Sequence, residues 1–154
     1  MTPSEKPCIS TQFARMDAVA DPVTAATIRR EFSDWLRQYF TLDETKASDV
    51  VLAVNEAMAN AAEFAYVTLT RPGTMHVRAA YDGNAATLTV TVTDEGCWRS
   101  ADPAAKERRR GRGIPLMRAL TDRVSVDTSH SGTKVCMEWL HVAAPTTACN
   151  AARA

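Results

Sequence analysis

Val50–Val67, VVLAVNEAMANAAEFAYV, is the stretch on which the reading of this chain turns. It is apolar almost all the way round, the pattern of a helix covered on most sides. Its only charged residues are Glu56 and Glu63. Glu56 and Asn60 are four residues apart and share one helical face. Val51, Val54, Met58, Ala61 and Ala65 fall opposite and are expected to supply the core stripe, while Leu52, Ala53 and Ala59 flank the Glu56/Asn60 face. A carboxylate and an amide are thus set into an apolar surface. Burying them is costly unless a partner satisfies them. They can serve a cap or a backbone bond, or they can face a ligand; the helix alone leaves both open.

The remainder of the 154 residues suits one domain with a substantial core. Eighteen basic residues against eighteen acidic give no net charge, so there is no global electrostatic case for nucleic acid or an anionic membrane. Glu56, Glu63 and the asparagines interrupt the longest apolar run before it could span a bilayer. The N-terminal MTPSEKPCIS lacks an apolar signal core, so a cytoplasmic location is expected. Cys8, Cys97, Cys136 and Cys149 form no C-x-x-C pair, and His76, His130 and His141 complete no metal pattern with them. They read as reduced thiols.

Residues 1–7 are expected to be a flexible lead-in, 8–142 a single domain and 143–154 a disordered tail. Cys8–Met16 can form a strand with Ile9, Thr11 and Phe13 on one face; Arg15 breaks the pattern, which an edge position would tolerate. Asp21-Pro22 opens a helix whose stripe is Ile28, Phe32, Trp35, Leu36 and Tyr39. Thr41 or Asp43 caps the next helix, which holds the central stretch and stops before Arg71-Pro72-Gly73. Met75–Tyr81 alternates, Asp82-Gly83-Asn84 turns, and Thr87–Thr93 is the clearest strand, with Leu88, Val90 and Val92 on one side. Asp94 keeps that parity, so its carboxylate is expected to face the covered side. Gly96 lets a ligand approach the backbone.

From Cys97 to Arg112 no apolar period exists. Arg99–Arg112 holds six basic residues against Asp102 and Glu107. The run, including Arg110, leads into Gly111-Arg112-Gly113 and a short helix with Ile114, Met117 and Leu120. Free backbone N–H groups at a helix start favour an anion such as phosphate. Asp122–Thr128 and Thr133–Leu140 are strands, the second with Val135, Met137 and Trp139 inward, and Thr133 shares their parity.

Four separate pieces, Glu56/Asn60, Asp94-x-Gly96, Gly111-x-Gly113 and Gly132-Thr133, all offer polar groups to the covered side. A nucleotide satisfies all four. A carboxylate can accept from the adenine amine, an Asn oxygen can help hold Mg²⁺, N–H groups and arginines can hold phosphates, and a carboxylate one turn before the Asn can act as a base.

The order and spacing of these pieces resemble the N box and glycine boxes of the GHKL ATPase superfamily, which includes histidine kinases, gyrase and MutL. The chain resembles most the small anti-sigma-factor serine kinases, in particular their actinobacterial branch. ASDVVLAVNEAMANAAEFAY, TDEGCWR, GRGIPLMRALTDRVSVD and SGTKV carry the likeness, over roughly residues 9–140. The resemblance implies an α+β two-layer sandwich, the Bergerat fold, with a mixed, mainly antiparallel sheet and helices on one face. It implies ATP and Mg²⁺ as cofactors. Glu56 would be the catalytic base and Asn60 the Mg²⁺ ligand. Asp94 would read adenine beside Gly96, Arg110, Gly111, Arg112 and Gly113 would close over phosphate, and Thr133 would support the adenine end. Its implied partners are an anti-sigma-factor antagonist as substrate, a sigma factor, and a second copy in a homodimer, with no direct nucleic acid and no membrane. Phe64 stands where many relatives have His, and Cys97-Trp98 follows Gly96. The alternative is a non-catalytic binding module of the same fold, regulated by nucleotide or independent of it.

Overall fold

The computed structural model describes residues 12–68, 73–95, 113–129 and 132–145. In chain order these form β1 (Gln12–Val19), α1 (Pro22–Tyr39), α2 (Glu44–Thr68), β2 (Thr74–Asp82), β3 (Thr87–Asp94), α3 (Gly113–Leu120), β4 (Arg123–Ser129) and β5 (Gly132–Trp139). The strand order is β1-β2-β3-β5-β4. The expected α+β architecture, with a mainly antiparallel sheet and helices on one face, is present, and among the described residues all four pairings are antiparallel. The topology explains this. A parallel pair needs a crossover, whereas β4 takes the outer edge and β5 turns back into the gap beside β3.

The strands alternate as their side chains dictate. β3 buries Leu88, Val90, Val92 and Asp94 in strict period two. Met75, Val77 and Ala79 of β2 and Val135, Met137 and Trp139 of β5 are buried on the same side. The three helices cover that side, with α2 between α1 and α3. Under α1 an aromatic cluster fills the β1/β2 end. Phe13, Phe32, Trp35, Phe40 and Tyr81 form successive pairs with ring centroids 5.2–5.7 Å apart. Three of these pairs, Phe13–Phe32, Trp35–Phe40 and Phe40–Tyr81, are edge-to-face, a geometry worth about 0.5–1.5 kcal/mol per pair beyond the area buried.

Helix starts follow local chemistry. The Asp21 carboxylate accepts the Thr24 N–H at 2.7 Å, with Pro22 in the first turn of α1. Asp43, rather than Thr41, caps α2, accepting the Lys46 N–H at 2.7 Å. The core stripe of α2 is Val50, Ala53, Val54, Ala57, Met58 and Ala61. Val51, expected within it, is only half-buried, while Ala53, expected beside Glu56, is fully buried. The buried face is therefore rotated by about one residue from the expected one. Ala65 lies outside the described side chains.

β1 runs three residues beyond the expected Met16. Arg15 is at an edge, a position that tolerates its charge, and pairs with Glu31 while its guanidinium lies 4.4 Å from the Phe13 ring centroid. Between Arg15 and Ala18 the register shifts at a bulge, where Asp17 takes a left-handed φ of 54°. The bulge lets Ala18 and Val19 pair again with Met75 and Thr74. In the β2–β3 hairpin, the Asp82 side chain accepts the Asn84 N–H at 2.9 Å. Ala86, not Gly83 or Asn84, supplies the left-handed residue, with φ 49°.

Connectivity orients the helices. Lys46 near the start of α2 donates to the Leu140 carbonyl at 3.1 Å, beyond the end of β5. The α2 C-terminus leads through a short connection into Thr74, and Met75 pairs with Asp94. So α2 runs toward the Asp94 end of the sheet. α3 runs the other way, because its Leu120 carbonyl accepts the Trp139 indole N–H at 2.8 Å at the opposite end. The N-terminus of α3 thus points toward the Asp94 end. Among the described residues no helix is long and apolar enough to cross a membrane.

Candidate functional site

Asp94 is the one charged side chain buried among the described residues, at 8% exposure. Period two carries it to the helix-covered side at the last residue of β3. Its direct partner across the ladder is Thr133. The Thr133 backbone N–H donates to Asp94 Oδ1 at 3.3 Å. Gly132 precedes Thr133 with φ 144°, and a Cβ there would lie 1.9 Å from the Asp94 carbonyl oxygen. Only glycine lets the two backbones come this close. The sheet thus joins Asp94 and Thr133, which are 39 residues apart in sequence.

Glu56 and Asn60 are both half-buried on α2. Asn60 is eight residues from the helix end, about 12 Å along the axis at 1.5 Å per residue. It therefore belongs to the half of α2 that approaches the Asp94 end. Gly113 opens α3 at that same end. Gly96, Arg110, Gly111 and Arg112 lie outside the described residues, as does the rest of the basic run.

A cleft of about 670 Å³ opens beside Asp94, Gly132 and Thr133, but Glu56 and Asn60 do not line it. Its other walls include Thr93, Asp127, Ser129 and Lys134, which alternation assigns to the helix-free face. This cleft wraps the end of the sheet.

The helix-free side of the same strand end holds a polar network absent from the sequence reading. The Glu95 N–H donates to the Thr74 carbonyl at 3.2 Å, continuing the ladder one residue past Asp94. One Glu95 carboxylate oxygen accepts the Thr74 hydroxyl at 3.1 Å, and the other meets His76 Nε2 at 2.9 Å. Nδ1 of His76 accepts the Asp17 N–H at 3.0 Å, so the ring proton is on Nε2, facing Glu95. The hydrogen bonds from His76 and then Thr74 hold the Glu95 carboxyl below the ordinary carboxylate range. The parity of Thr74 and His76 in β2 was a signal for this cluster, but only the strand register brings Glu95 opposite them.

The fold is that of a known class. Residues 18–139 match the family model of the histidine kinase-like ATPase domain, and the chain belongs to that family. A crystal structure of the RsbU and RsbW domains of a Mycobacterium tuberculosis protein is similar, at a TM-score of 0.65 and 23% identity. The match covers 88% of this chain and 33% of that one, and at this identity the likeness is one of fold.

Proposed function

We propose that this chain is an ATP-dependent protein serine/threonine kinase that acts as a cytoplasmic anti-sigma factor. It would phosphorylate an anti-sigma-factor antagonist and, in the alternative complex, hold a sigma factor. The observation that carries the reading is the buried Asp94 carboxylate, at a strand end faced by the C-terminal half of α2. An acceptor on the apolar side of the sheet, held by the Thr133 N–H, suits the exocyclic amine of adenine. Family membership supports the same ligand.

ATP with Mg²⁺ supplies the transferable phosphoryl group. Asp94 orients the base, and Thr133 supports that end of the pocket. Asn60 offers its side-chain oxygen to the metal. Glu56, one turn before Asn60 on the same face, accepts the proton of the substrate hydroxyl. The α3 start, with Gly113 and the preceding Gly111, Arg112 and Arg110, offers backbone N–H groups and guanidinium charge to the phosphates. Gly96 gives the base room.

Incubation with Mg-ATP and candidate antagonists tests the proposal. The expected result is phosphorylation of a serine or threonine that disappears in Glu56→Gln while nucleotide still binds. Nucleotide binding without transfer to any antagonist would instead favour a non-catalytic module.

A further inference from the structure

We propose that Glu95, held by His76 and Thr74, is a positioning residue for the Asp94 carboxylate, so that the helix-free face of the sheet tunes how selectively the covered face takes adenine. This rests on the nucleotide reading above.

Asp94 is the last residue of β3. On the β5 side it is fixed by its pairing with Thr133 and by the contact with Gly132. On the β2 side, among the described residues, the ladder continues past it through the Glu95 N–H, and strand ends fray where few bonds hold them. The Glu95 side chain adds two bonds there, one from each carboxylate oxygen, to residues two apart on β2. Because Glu95 adjoins Asp94, those bonds fix the backbone direction from which the Asp94 side chain leaves the sheet.

His76 is itself oriented. Its side chain is 13% exposed and its second nitrogen is held by the Asp17 N–H of the β1 bulge. The left-handed φ of Asp17 aims that N–H across the sheet at His76. A path of three hydrogen-bonded groups thus runs from the edge strand to the residue beside Asp94. The Glu95 side chain is 63% exposed, so its bonds weigh little on global stability. They act on local geometry, and a base-reading carboxylate depends on geometry.

Purine selectivity separates positioning from a structural role. Adenine presents an amine to the Asp94 carboxylate, whereas guanine presents a carbonyl oxygen that it repels. Dissociation constants for Mg-ATP and Mg-GTP, by competition with a fluorescent nucleotide, are to be compared for wild type, Glu95→Ala, His76→Ala, Glu95→Gln and His76→Gln, alongside thermal melts. Glu95→Ala and His76→Ala are expected to weaken ATP roughly two- to tenfold, the worth of one hydrogen bond, with little change in GTP affinity. The melting temperature is expected to move little. His76→Gln, whose amide can still donate to Glu95, is expected to recover most of the ATP preference. Parallel weakening of both nucleotides, unchanged ATP affinity in a folded variant, or failure of His76→Gln to restore preference overturns the inference. Where Glu95→Ala unfolds, Glu95→Leu, which accepts neither bond, is read by the same criteria, whereas Glu95→Gln, which keeps an acceptor for His76, is expected to retain most of the ATP preference. If wild type binds no ATP, the kinase reading and this inference fall together; if it binds and the variants are unaltered, only this inference falls.

Discussion

A single carboxylate illustrates how residue-scale chemistry becomes a site. Asp94 was expected on the covered face from parity alone, and it lies there because β3 stays extended to its last residue. Substitution to Asn keeps the shape but gives the side chain one donor and one acceptor. If its oxygen keeps the Thr133 N–H, its amide meets the adenine amine donor to donor. Asp94→Asn is therefore predicted to lower ATP affinity by at least about tenfold, about 1.4 kcal/mol, with a urea midpoint close to wild type. A variant that binds ATP normally would refute this role. Asp21 offers a contrasting case with no part in the site. The backbone hydrogen bond from Thr24 lowers its pKa from the ordinary 3.8, so the native state holds its proton less tightly than the unfolded chain does. The stability it contributes is present above that ordinary value and is lost as pH falls through the lower native one. Asp21→Ala is predicted to cost about 1 kcal/mol at pH 7, with a smaller gap to wild type in urea melts near pH 3. A gap independent of pH would contradict the cap's electrostatic part.

At the scale of elements, α2 shows what helical periodicity can and cannot supply. Its existence, its stop before Gly73 and the shared face of Glu56 and Asn60 follow from composition and spacing. Its azimuth does not, because small apolar residues occur on several faces. Packing between α1 and α3 selected Ala53 and Ala57 for the core and left Leu52 41% exposed. Met58 is fully buried, so Met58→Ala is predicted to cost about 2–5 kcal/mol in denaturant unfolding, and a smaller loss would mean that the helix tolerates the cavity by shifting. Gly132 matters through its strand pair. Gly132→Ala would force a side chain onto the Asp94 carbonyl from a backbone conformation that alanine resists. It is predicted to destabilise the protein by at least about 1–3 kcal/mol and, under the proposed function, to weaken nucleotide binding as well, because the strain falls on Asp94, the residue assigned there to the base. Loss of stability with unchanged affinity in the folded fraction would separate Gly132 from the site.

For the whole molecule, local signals identified strands and helices but not their order in space. That β5 inserts between β3 and β4 depends on pairings such as Asp94 with Thr133 and Val90 with Met137, far apart in the chain. The Asp17–His76–Glu95 path was hidden for the same reason: its partners come from β1, β2 and the residue just past β3, and one lies on a bulge that no local pattern announced. The antiparallel sheet places the Asp94 strand end, the C-terminal half of α2 and the start of α3 at one end of the domain, which is the arrangement the nucleotide reading needs. Calorimetric titration of ATP with and without Mg²⁺, on wild type, Asn60→Ala and Asp94→Asn, tests that reading most directly. The account predicts one ATP per wild-type chain, tightened by Mg²⁺, with the Mg²⁺ effect lost in Asn60→Ala and binding itself sharply weakened in Asp94→Asn. No binding by wild type, or equal binding by all three proteins, would contradict it.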